Sequence, residues 1–264
     1  MGLRQKRLFL LDIDGTVSLD ATLLPGSMDF FRHVLESGGK YVFITNNSTR
    51  SVADYVEKFR RMGVPADESS FVTASTATVQ YLKARHAEDR IFVVGTRSFR
   101  SELARAGLSV TEALSPDVSC ALVGFDDELT YEKARALCEL LCTRPGMPYL
   151  ATNPDLACPV GFGAIPDCGA ICGMIRCATG REPVYIGKPN PIIVDMCLAQ
   201  TGFSKEQTLV IGDRLYTDIA CGIAAGVDTA VVFTGEAKPG DLADTAFPPA
   251  FAFPSIRELD EAVF

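Results

Sequence analysis

The sequence predicts an α/β protein: a doubly wound, parallel-sheet core with a second α/β segment inserted into it. Three observations lead there. Short apolar runs, each the length of a strand buried on both faces, alternate with stretches of helical periodicity. Three of those runs stop at polar residues, at Asp12 and Asp14, at Thr45 and Asn46, and at Asp213. Between the second and the third, the chain turns charged over Lys83–Arg90 and then runs through a strand–helix alternation of its own.

Leu8-Phe9-Leu10-Leu11 is the first buried strand. Asp12-Ile13-Asp14-Gly15-Thr16 follows where it opens into a loop, and in open α/β sheets ligands bind at that carboxyl end. A helix after Pro25-Gly26 carries Phe30, Phe31, Val34 and Leu35 on one face and ends at Gly38-Gly39. Tyr41–Ile44 is the second strand, so this is a right-handed βαβ unit that brings Thr45 and Asn46 to the sheet edge of Asp12. Ser51 opens a helix with Val52, Tyr55, Val56, Phe59 and Met62 at helical spacing; Phe71–Thr73 is a strand, and Ser75 caps the next helix. In the inserted segment, strands are expected at 91–95, 120–124, 149–152 and 184–186, with helices at 98–106, 130–142 and 169–179. Residues 153–167, with three prolines and two glycines, read as irregular. Gly187-Lys188-Pro189 returns to the first pattern. A helix at 192–199, the strand Thr208–Ile211, a helix at 217–225, a strand at 229–233 and a helix after Ser255 complete the core. The expected domain limits are 1–80 and 186–264 for the core and 81–185 for the insertion.

At 264 residues and 47% hydrophobic, the chain is long enough for a large core and a smaller second domain. A net charge of −8 argues against nucleic-acid polymers and membrane surfaces as partners. Nine cysteines without a C-x-x-C pair, beside only two histidines (His33 and His86), argue against zinc and for reduced, mostly buried thiols. His33 falls in a helix, as a surface or packing residue. The apolar run that stops at Asp12 is too short for a signal-peptide core or a membrane span. The expectation is a cytoplasmic protein.

Asp12 and Asp14 repel one another unless a cation or a shared proton intervenes. Oxygen-only ligands suit Mg²⁺, although Asp-x-Asp-Gly also begins ordinary turns, and this stretch alone leaves both readings open. Asp213, Asp218 and Lys188 add two acids and an ammonium. Taken singly, they read equally as a loop acid, a helix N-terminal acid and a surface lysine. Gly187-Lys188 is not a nucleotide-binding loop, because Pro189 replaces the required Ser/Thr, and Gly161-x-Gly163 lacks a third glycine at position 166.

In combination these motifs resemble the haloacid-dehalogenase superfamily of phosphatases. The chain carries D-x-D-G-T at 12–16, T-N-N-S at 45–48, G-K-P at 187–189 and G-D-x-x-x-x-D at 212–218, in that family's order. The long insertion between Thr45 and Lys188 resembles the C2a cap type. Val123-Gly124-Phe125-Asp126, Tyr131 and Thr152-Asn153-Pro154-Asp155 resemble the NagD-like, 4-nitrophenylphosphatase-like branch.

The resemblance implies that Asp12 is a nucleophile forming an aspartyl-phosphate, and that Asp14 is the acid for the leaving group and then the base for water. It implies that Thr45, Asn46 and Lys188 hold the phosphoryl group. Mg²⁺ would be bound by Asp12, Asp213 and the Asp14 carbonyl, with Asp218 acting through water or orienting a ligand. Asn153 and Asp155 are the polar candidates for lining the substrate; Arg50 and Arg214 are candidates for aiding anion binding. The implied substrate is a small phosphorylated metabolite: a sugar phosphate, nucleoside monophosphate, phosphoglycolate or pyridoxal phosphate. A homodimer through the cap is also implied. Three rivals share the scaffold. A dehalogenase would need no Mg²⁺, and Asp14 speaks against it. A phosphotransferase would use an acceptor other than water. A silent binding protein is disfavoured because a cluster of acids is costly without a cation.

Overall fold

The computed structural model describes residues 2–47, 51–160 and 162–264. Two compact units emerge. The first comprises Met1–Thr45, Val52–Val72 and Lys188–Phe264, the second Asn46–Ser51 and Thr73–Gly187. The expected first boundary, between residues 80 and 81, falls inside the helix Ala74–Arg85. That helix starts at a capping box where the Phe71–Thr73 strand ends: Thr73 Oγ1 accepts from Thr76 N–H, and Thr76 Oγ1 accepts from Thr73 N–H. Thr73, rather than the expected Ser75, is therefore the N-cap.

A six-stranded sheet forms the centre of the first unit, in the order Phe251–Phe253, Asp228–Val232, Thr208–Gly212, Leu8–Leu11, Lys40–Thr45, Phe71–Thr73. Leu8–Leu11 lies between Thr208–Gly212 and Lys40–Thr45, parallel to both. All four of its side chains are buried, as expected of a strand covered on both faces. The helices Ser27–Glu36, Val52–Arg61 and Ile256–Val263 contribute Phe30, Phe31, Val34, Tyr55, Val56, Phe59, Ile256 and Leu259 to one core cluster with the sheet. Leu35 is exposed, since the helix Ser27–Glu36 buries a narrower stripe than its sequence pattern suggests. His33 bonds through Nδ1 to the Asp260 carboxylate at 2.9 Å, tying the first helix to the last.

The second unit has its own parallel sheet, in the order Val184–Tyr185, Tyr149–Ala151, Val118–Val123, Arg90–Val94, Ser109–Thr111. Its core joins that sheet to the helices Tyr131–Thr143 and Cys168–Thr179.

Several elements depart from expectation. Residues 153–167 contain an antiparallel ribbon, Ala157–Val160 against Gly163–Pro166. Pro159 and Pro166 hid it, since proline reads as a strand breaker, but in a two-stranded ribbon every residue is on an edge and a missing N–H is tolerated there. Ser18–Leu19 and Thr22–Leu23 pair in a short hairpin where a loop was expected. Ser109–Thr111 and Phe251–Phe253 are edge strands too short to announce themselves. The helix expected over 217–225 splits into a π turn, Leu215–Ile219, and a helix, Ala220–Ala225. No helix among the described residues is long and apolar enough to cross a membrane.

Phe43 sits at the heart of the first unit, with ring centroids 4.4 Å from Phe59, 5.1 Å from Phe71 and 5.5 Å from Phe31. Phe43→Ala should cost about 3–5 kcal/mol, read as a lower urea midpoint with the native far-UV circular dichroism retained.

Candidate active site

Three adjacent parallel strands, Thr208–Gly212, Leu8–Leu11 and Lys40–Thr45, end together and so set Asp213, Asp12 and Thr45 along one edge of the sheet. Lys188 reaches this edge from the turn that re-enters the first unit. Its Nζ lies 2.6 Å from Asp12 Oδ1 and donates to Ile44 O at 3.1 Å. It also forms an ion pair with Asp218 Oδ1 at 2.6 Å. The ammonium is 2% exposed and the Asp12 carboxylate 14%.

Local backbone geometry aims each acid. The π turn brings Asp218 back over the end of its own strand, where Asp218 Oδ2 accepts from Arg214 N–H at 3.1 Å. A Cβ on Gly212 would collide with the Asp218 side chain, which is why a glycine precedes Asp213. Gly15 has φ +92°, and a Cβ there would lie 2.8 Å from Asp213 Oδ2. Thr16 Oγ1 donates to Asp213 Oδ1 at 3.3 Å. Asp14 stands apart, its Oδ1 3.7 Å from Lys58 Nζ on the helix Val52–Arg61.

Asn46, Asn153 and Asp155 come together within the second unit. Asn46 Nδ2 donates to Asp155 Oδ1 at 3.1 Å, Asn153 Nδ2 donates to Asn46 O at 2.8 Å, and Asp155 N–H donates to Asn153 Oδ1 at 3.0 Å. All three are buried. Arg214 pairs with Glu236 at 2.9 Å. Ser48 and Arg50 lie outside the described residues.

One segment escaped the sequence reading: Thr234-Gly235-Glu236-Ala237, which follows the Asp228–Val232 strand. Thr234 Oγ1 donates to Gly15 O at 2.6 Å, Glu236 N–H to Asp213 Oδ2 at 2.8 Å and Ala237 N–H to Asp213 O at 2.9 Å. Gly235 packs so closely on Asp213 that a Cβ would overlap its carboxylate. The signal was present, because Thr-Gly follows a buried strand here as polar residues follow the other three.

The electrostatics report a surplus of carboxylate over cation. Burial pushes Asp12 well above the usual carboxylate range, and Asp218 and Asp213 add to this against the opposing pull of Lys188. Asp213 is pushed up to about 6 by burial and by Asp218, against the Glu236 N–H bond. Burial disfavours the Lys188 ammonium, but Asp12 and Asp218 outweigh it and hold the group charged. Oxygens of Asp12, Asp213 and Asp218 lie within 4.8 Å of one another, the one group of acidic, His or Cys side chains among the described residues arranged to hold a metal ion. Three carboxylates against one ammonium, and oxygen-only donors, fit a hard divalent cation.

A model of the haloacid dehalogenase-like hydrolase family matches residues 9–109, and a HAD-hydrolase-like model matches residues 185–259. The chain belongs to the haloacid-dehalogenase-like hydrolases. It is 32% identical to an acid sugar phosphatase of Staphylococcus epidermidis, over 97% of this chain and 96% of that protein. A 4-nitrophenylphosphatase from Thermotoga maritima superposes with a TM-score of 0.92 at 40% identity, covering 99% of each chain. NagD from E. coli superposes with a TM-score of 0.85 at 30% identity, over 96% of this chain and 98% of that one. The chain is therefore a haloacid-dehalogenase-type phosphatase of the NagD-like branch.

Two outcomes follow for this phosphatase. Gly235→Ala should weaken divalent-cation affinity about 10–100-fold by displacing Asp213, measured by isothermal titration calorimetry. In the wild type, Asp213 takes up a proton as pH falls through about 6. A protonated ligand binds cations poorly, so the same titration should show affinity declining below that pH.

Proposed function

We propose that this phosphatase hydrolyses small phosphomonoesters, with Mg²⁺, through a phosphoryl group carried on Asp12. The observation that carries the reading is the Asp12 carboxylate held at 2.6 Å by a buried lysine and grouped with two further acids. A carboxylate so placed is oriented as a nucleophile, and such a nucleophile divides one hard displacement into two easier ones.

Asp12 forms a bond to phosphorus as the ester P–O bond breaks, and Asp14 gives its proton to the departing alkoxide. Asp14 then takes a proton from water as that water displaces Asp12 from phosphorus, releasing inorganic phosphate and restoring both acids. Thr45 and Asn46 donate hydrogen bonds to the phosphoryl oxygens, and Lys188 offsets their charge. Asp12, Asp213 and the Asp14 carbonyl would hold Mg²⁺, with Asp218 orienting the set. When bound, the cation supplies the positive charge that lets an anionic nucleophile meet an anionic phosphate.

The relatives support a substrate class. An acid sugar phosphatase matching along nearly the whole chain favours sugar phosphates. Asn153 and Asp155 are both hydrogen-bonded to Asn46, and that pairing supports their being read together as candidates for substrate contact.

Phosphate release from a panel of sugar phosphates and other phosphomonoesters tests the reading. Turnover should disappear on dialysis against EDTA, return with Mg²⁺, and fall by about 10³-fold or more in Asp12→Asn. Turnover that survives Asp12→Asn would sink the covalent mechanism.

A further inference from the structure

The four acids of the site are not equivalent. Asp12, Asp213 and Asp218 share one cluster with Lys188. Asp14 has a cation of its own, Lys58, whose Nζ is 3.7 Å from Asp14 Oδ1. This lysine is one of three basic residues in the last turn of the helix Val52–Arg61. The other two are spent elsewhere: Arg61 pairs with Glu57 on the surface, and Arg60 Nε donates to the Ala66 carbonyl. Lys58 alone turns to the acids. Its side chain is 15% exposed, against 76% for Arg61, so it is held along the protein rather than dispersed in solvent.

We propose that Lys58 is the positioning residue for the proton-transfer acid Asp14. The inference rests on the role given to Asp14 above. A carboxyl group that must deliver a proton to a departing oxygen needs one oxygen turned to that atom. A cation beside Oδ1 attracts that end of the group and leaves Oδ2 for the transfer. The proton passes from Oδ2 to the leaving oxygen as the ester P–O bond breaks and the Asp12–phosphorus bond forms. At 3.7 Å the pair is longer than a hydrogen bond, so Lys58 steers the carboxyl without clamping it. Asp14 is thus free to turn from the leaving oxygen to the attacking water. Asp14 is only half-buried, with 35% of its side chain exposed, and Lys58 biases its orientation from one side.

The test exploits the fact that a general acid matters in proportion to the basicity of the group that leaves. A nitrophenolate departs with little help, whereas an alkoxide departs poorly unless protonated. The ratio kcat/KM reports the steps through loss of the leaving group. It would be measured for 4-nitrophenyl phosphate and for glycerol phosphate with the Mg²⁺-loaded enzyme, in wild type, Lys58→Met, Lys58→Arg and Asp14→Asn. Lys58→Met should lower the glycerol phosphate value about 10–100-fold, a share of the effect of a general acid, and the 4-nitrophenyl phosphate value less than about threefold. Lys58→Arg should restore most of the lost activity toward glycerol phosphate, since it returns the charge. An equal fall on both substrates in Lys58→Met, or no recovery in a folded Lys58→Arg, would overturn the proposal in favour of a packing role. If Asp14→Asn discriminates between the substrates and Lys58→Met does not, Lys58 alone has been misassigned. If Asp14→Asn itself lowers both equally, the role of Asp14 as acid fails, and the inference fails with it.

Discussion

Crowding of negative charge at the ends of three buried strands is the constraint from which the rest of the first unit follows. Asp12, Asp213 and Asp218 are brought within 4.8 Å by parallel pairing of the strands that carry the first two and by a π turn that carries the third. Removing such groups from water is unfavourable, and their mutual repulsion adds to the cost. Lys188 offsets one charge, and backbone N–H groups of Arg214 and Glu236 spread part of the remainder. What is left is a binding potential for a divalent cation, built from the same burial and crowding of carboxylates that raise Asp12 and Asp213 above the usual carboxylate range.

Such a cluster persists only on a rigid base. The strands beneath it are lined by Phe9, Leu11, Phe43, Leu209 and Ile211, all with no measurable exposure, and by an aromatic group around Phe43. Close packing leaves the strand ends few alternative positions, so the acids are held in opposition to their own repulsion. Glycines at 15, 212 and 235 then let the carboxylates approach backbone that any side chain would push away. Stability in the sheet and strain at its edge are thus two parts of one arrangement.

The second unit illustrates a different economy. Asn46, Asn153 and Asp155 are hydrogen-bonded to one another beneath the surface. A buried network of this kind defines one conformation for its members, because any change leaves a donor or acceptor unpaired. Residues that look like exposed polar tips in a proline-rich stretch are therefore buried and hydrogen-bonded to Asn46.

Much of this was legible in the amino-acid order. Buried strands read as apolar runs, their polar termini gave Asp12, Asp14, Thr45, Asn46 and Asp213, and the long interval before Lys188 gave the inserted unit. These features are local, and each follows from burial of a short segment. The ribbon at 157–166, the π turn at 215–219 and the capping of one helix by Thr73 were not legible, since each is chosen by competition among conformations that the local residues tolerate almost equally. The partners were hidden for a stronger reason. Lys58 belonging to Asp14, Lys188 shared between Asp12 and Asp218, and the Thr234–Ala237 segment wrapped on Asp213 are contacts between residues far apart in the chain. By itself, the sequence determined which strands are buried and which chemistry stands at their ends. Only the tertiary structure decided which charge faces which, because that depends on the register and order of strands whose pairing no single segment encodes.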